Sequence, residues 1–148
     1  MTTSARSLNF QFLGVHGPKV EEPAAQAERL VWIDAAACVG KVRMLAEVLA
    51  AGMAMRLRIY VPGEAQADVL RKLDGAGALS DEVREIFHAV RKAGNAALHE
   101  NRASTADARA HLRNAWHLAL WFHRGTRAPG FVAPPYAEPP DPSAEVRA

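Results

Sequence analysis

Residues 83–102, VREIFHAVRKAGNAALHENR, concentrate the side chains of this chain most able to do chemistry. At about 100° per residue, His88, Asn95 and His99 share one helical face, with Arg91 and Lys92 flanking them. An imidazole moves protons near neutral pH, and a nearby guanidinium stabilises a phosphoryl transition state. Arg91 and His99 are therefore the pair that metal-free RNA cleavage would use. The same side chains also fit plainer roles. Asn95 can bond a neighbouring loop, and a cationic His99 suits the negative end of the helix dipole. Residue type and spacing favour the plainer use, so we read His88, Arg91, Lys92, Asn95 and His99 as an interaction stripe with no catalytic residue in it. Gly94 sits between these groups. A mid-helix Gly costs about 1 kcal/mol against Ala, which predicts that a neighbouring backbone comes close there.

Other chemistries lack their residues. The chain has no GxxxxGK[ST] loop, no GxSxG elbow and no HExxH pair. His111, His117 and His123 recur at steps of six, which does not set a pair on one helical face. No metal site is expected. His16 carries no signal. Cys38 is the single cysteine, which excludes an internal disulfide and a Cys-based zinc cluster. Its Ala and Val neighbours predict a buried small hydrophobe.

The elements that must position the stripe read as helices. Ser80, with Asp81 and Glu82 behind it, caps the stripe helix, and Val83, Ile86, Phe87, Val90, Gly94, Ala97 and Leu98 form its inward face. An earlier helix spans residues 23–33. Asp34 is a good N-cap for the next, an amphipathic helix with Cys38, Val42, Leu45, Leu49 and Met53 inward. A short helix covers residues 64–74, closed by Gly75 and Gly77. The last runs from Thr105 or Ala106 to His123, with Leu112, Ala115, Trp116, Ala119 and Phe122 inward, and Arg124-Gly125 as its stop. Trp121 lies at the edge of that face, placed to hold a tail. No period-two strand pattern is present. The predicted fold class is all-α: an antiparallel bundle of about four or five helices. Residues 1–8 form a flexible lead and residues 9–127 the helical domain. Residues 128–148, with six prolines, form an extended tail and linker that Phe131 and Tyr136 pin to the body.

Bulk properties agree with a globular domain. The chain has 148 residues, 49% of them hydrophobic, and a formal net charge of +2, too mild to argue for nucleic-acid binding by charge alone. Residues 1–10 lack an apolar signal core. The least polar stretch, residues 35–57, is broken by Lys41, Arg43, Glu47 and Arg56, so neither secretion nor a membrane span is expected. One unpaired cysteine fits a reducing cytoplasm.

Six segments in order, NFQFL (9–13), KVRMLAE (41–47), DVLRKL (68–73), IFHAVRKAGNAALHE (86–100), LRNAWHLALWFHR (112–124) and FVAPP (131–135), resemble the N-terminal region of type I restriction enzyme R subunits and related helicase proteins. The likeness runs from about residue 9 to residue 139. It implies a helical domain ahead of the nuclease and helicase parts of a large cytoplasmic DNA motor. The partners it implies are the rest of the R subunit, the methyltransferase and specificity subunits, and DNA, met directly or through the complex. It also implies ATP and magnesium in domains outside this chain, and no cofactor within it. The domain is similar as well to the HEPN group of helical domains, some of which are ribonucleases with four to six residues between an Arg and a His. Here seven residues separate Arg91 from His99, and six separate Lys92 from it.

Overall fold

The computed structural model describes residues 7–143. A 3-10 turn at Gln11–His16 leads into α1 (Pro18–Leu30), α2 (Ala35–Arg56), α3 (Gln66–Gly75), α4 (Asp81–Glu100) and α5 (Thr105–Thr126). Among the described residues there is no strand, and the all-α bundle is the one the periodicity predicts.

The centre of the bundle is α2. Asp34 Oδ1 caps it by accepting the Ala37 N–H at 3.0 Å. Cys38, Val42, Leu45, Leu49 and Met53 point inward as expected, but Val39, Ala46, Ala50 and Ala54 are buried too. The helix is thus apolar around most of its girth rather than amphipathic, because α1, α3, α4 and α5 all pack against it. Cys38 lies beside Ala108, and Gly52 lies against Phe122, so α2 and α5 run parallel. Between them in the chain, α4 runs antiparallel to both, with Gly94 on Arg43 and Phe87 on Trp121. Small residues permit this closeness. A Cβ built on Gly52 would lie 2.7 Å from Phe122 Cε1, and one on Gly125 would lie 2.5 Å from Met53 Cε. Gly125 is accordingly a packing residue inside α5, not the stop expected of it.

Three other helical expectations are corrected. The first helix begins at Pro18 rather than Pro23 and ends at Leu30 rather than Ile33. Pro18 occupies the first turn, where its missing N–H costs nothing, and Pro23 is buried in the helix body. Leu98, assigned to the inward face of α4, is 67% exposed, while Phe87, Val90, Gly94 and Ala97 are buried. The two tryptophans of α5 exchange roles. Trp121 Nε1 donates to Ala78 O at 2.9 Å and packs edge-on against Phe87, whereas Trp116 packs against Tyr136 of the tail.

The two ends of the described chain are tied to each other. Glu28 accepts bonds from Ser7 Oγ, the backbone N–H of Leu8 and of Asn9, and Asn9 Nδ2, at 2.6–3.0 Å. Ser7 and Leu8 therefore do not belong to a loose lead. The rest of that expectation, residues 1–6, lies outside the described residues, as does the end of the linker, residues 144–148. The Asn9 carboxamide then grips the tail, donating to Ala137 O at 2.8 Å and accepting from Ala137 N at 2.9 Å. Trp32 Nε1 donates to Pro139 O, Arg109 pairs with Glu138, and the Arg113 guanidinium lies over the Tyr136 ring. Asn9→Ala strands two tail backbone groups and part of the Glu28 carboxylate. It will cost about 1–2 kcal/mol in urea denaturation, and tryptophan emission from Trp32 and Trp116 will shift as residues 136–139 detach.

Candidate functional site

The stripe lies on the outer face of α4. Ser80 Oγ starts the helix by accepting the Val83 N–H at 3.1 Å, and Asn101, at φ 48°, ends it in the left-handed conformation that lets an Asn close a helix. His88, Lys92, Asn95 and His99 are exposed and Arg91 is half-buried. None of these five side chains has a hydrogen bond or ion pair within the described residues. Arg91 Nε is sealed from solvent without a partner, while Arg43 on α2, Arg71 on α3 and Arg84 on α4 itself are paired with carboxylates. Arg91 and His99 are eight residues apart, about 12 Å along the axis. His88 also borders a groove of about 280 Å³ between α3 and α4, floored by Leu70, Leu79 and Phe87, with the Arg84–Asp74 ion pair at its rim.

Beneath the stripe, Gly94 does meet a close neighbour, but that neighbour is a side chain and not backbone. A Cβ on Gly94 would lie 2.5 Å from Arg43 Cδ and 2.7 Å from Arg43 Cβ. The Arg43 stem lies in the notch, and its Nε pairs with Glu47 at 3.2 Å. The stripe is thus presented by a helix whose Gly94 notch receives the Arg43 stem of α2.

Periodicity along the chain gave no hint of a second cluster. His16 Nε2 and His123 Nδ1 share a hydrogen bond of 2.9 Å. His123 is 5% exposed, and the two rings sit among Phe12, Phe122 and Phe131 at centroid distances of 4.6–5.2 Å. Burial lowers the His16 pKa, and His123 and Arg127 lower it further. Burial, Arg127 and Arg124 do the same for His123. These two histidines are 107 residues apart. They meet because the 3-10 turn packs on the last turn of α5, which no local pattern signals. Cys38 is fully buried, and burial pushes its thiol up to about 12, so it is inert as a nucleophile. No cluster of three or more His, Cys, Asp or Glu among the described residues could hold a metal ion, and no helix there is long and apolar enough to cross a membrane.

Over 116 residues the chain is 34% identical to the endonuclease subunit of the type I restriction enzyme EcoKI from Escherichia coli strain K12. The likeness supports the type I restriction family. The aligned stretch is 78% of this chain and 10% of that subunit, so the chain spans about a tenth of its relative's length. No protein-family model matches the chain, and no solved structure does. The relative's name describes an endonuclease subunit, whereas this bundle carries an exposed polar stripe on α4 and a buried imidazole pair.

Proposed function

We propose that this chain is a non-catalytic helical module of the motor subunit of a type I restriction system. It acts in DNA restriction and defence against phage in the cytoplasm, while ATP and magnesium serve the nuclease and helicase parts. Its work is positioning: the outer face of α4 holds the motor subunit against the methyltransferase–specificity core or against DNA. One observation carries this reading. His88, Arg91, Lys92, Asn95 and His99 stand together on one face with no partner inside the described residues. The 34% identity to a type I restriction subunit supplies the setting.

The test is binding of the purified chain to labelled duplex DNA and, separately, to a purified methyltransferase–specificity complex. Arg91→Glu with Lys92→Glu reverses two charges at the centre of the face. It is expected to weaken whichever contact exists by about 10- to 100-fold. If the partner is DNA, the steepness of the salt dependence also falls by about one to two unit slopes. Unchanged binding to both partners overturns the positioning role. Labelled RNA serves as the third substrate, because the HEPN-like alternative is a metal-independent ribonuclease or toxin working through Arg91 and His99. RNA cleavage that disappears in His99→Ala would replace our reading with that one.

A further inference from the structure

We propose that His16 and His123 form a proton-operated clasp: the neutral pair keeps Phe131, and with it residues 128–133, on the helical body, and protonating the pair releases that segment, while residues 136–139 stay anchored by Asn9, Trp32 and Arg109. Geometry carries this. The 2.9 Å bond joins the 3-10 turn to α5, and one imidazole must donate while the other accepts, which two neutral rings satisfy. The tail closes over the pair. Phe131 stands perpendicular to His123 at 4.6 Å and touches Phe12 at 5.1 Å. Arg124 Nε fixes the Phe131 carbonyl at 3.0 Å. Phe131 is thus a lid whose underside is the imidazole pair.

The charges around the pair make it respond to acid in one direction. From α5, Arg124 and Arg127 act on His123, and Arg127 acts on His16. From α1, the Glu21 carboxylate lies against Gly14 of the 3-10 turn. Among the described residues, no hydrogen bond or ion pair joins either ring to a carboxylate. A first proton can be shared across the bond. A second leaves two cations in contact inside an aromatic box, beside two arginines. Both rings bind protons more weakly when folded than when free. The clasp is therefore whole above about pH 6.5, the free imidazole value, and is lost as pH falls through the lowered folded values. His111 on α5 is lowered by burial as well, so general acid softening must be separated from release of the tail.

Two-dimensional NMR of the intact chain between pH 7.5 and 5.0 makes that separation. The imidazoles of His16 and His123 are expected to titrate below free histidine. The amides of Phe131 and Val132 should move toward free-chain positions with the same midpoint, while the Asn9-held amide of Ala137 and the amides of α2 and α4 stay native. In His16→Phe with His123→Phe, which refills the box with apolar rings, the Phe131 and Val132 amides should hold still across the range. Phe131 and Val132 amides that stay put while both imidazoles titrate would overturn the clasp. So would release with an unaltered midpoint in the double variant. If that variant does not fold, the wild-type titration decides alone.

Discussion

Phe87→Ala will destabilise the domain by about 3–5 kcal/mol, the largest single effect we expect. Phe87 is 1% exposed and lies edge-on to Trp121 at 5.3 Å, on the inward face of α4. Truncation to alanine removes most of a buried ring. It leaves a cavity bounded by α4, α5 and the α3–α4 loop, where Trp121 is already held to Ala78 by its own hydrogen bond and cannot follow. Urea denaturation gives the free energy directly, and the melting temperature should fall by about 10–15 °C. Phe87→Leu, which keeps most of the volume, should cost about 1 kcal/mol. A loss below about 1 kcal/mol for the alanine variant would mean that α4 is not seated through this ring.

Gly94→Val comes second, at a net cost of about 2 kcal/mol. A valine Cβ would fall 2.7 Å from the Cβ of Arg43, which no rotation of the arginine can move aside. Either α4 lifts away from α2, or the Arg43 stem leaves the notch and its pairing with Glu47. Such overpacking costs about 1–3 kcal/mol, and the better helix propensity of valine returns less than about 0.5 kcal/mol. The cause can be isolated with Arg43→Gly in the same chain. A double-mutant cycle should then give a coupling of about 1 kcal/mol or more. Additivity would place the strain elsewhere. Because Gly94 lies beneath the stripe, the same variant should also weaken any binding that depends on Arg91 and Lys92, although it touches neither charge.

What could be read from the sequence follows how local each cause is. Asp34 and Ser80 were legible as caps because a capping side chain acts within three residues of its own position. Most inward positions of α4 and α5 were legible from helical periodicity, although Trp116 turns to Tyr136 of the tail. Leu98 was not, since periodicity gives a direction but not the place where the neighbouring helix runs out. The start of α1 escapes the sequence because Pro23 looks like a first-turn proline, yet it is carried inside the helix and Pro18 holds the first turn. Gly125 looked like a stop because a cation followed by Gly often is one, but Met53 from another helix decides the matter.

The sites divide in the same way. Five residues spaced along one helix could be assigned to a common face from number alone, and Gly94 could be suspected of a close contact from its propensity cost. That the contact is the Arg43 stem could not, because it belongs to a helix fifty residues earlier. The His16–His123 pair was wholly hidden. Its members lie 107 residues apart, and neither carries a signal on its own. The proline-rich segment was recognisable as extended, but its seat depends on a carboxamide at Asn9, at the other end of the described chain.

The parallel alignment of α2 and α5 bears on how the polypeptide is born. Residues 35–56 pack on α1, which precedes them, but another large share of their cover comes from residues 105–126, some seventy positions later. During synthesis from the N-terminus, the most apolar helix therefore leaves the ribosome with α1 beside it but long before the α5 surface that covers its other flank exists. It must wait with a greasy flank bare, when self-association competes with folding. Nascent chains halted before residue 105 should need a chaperone's shelter, and full-length ones should not.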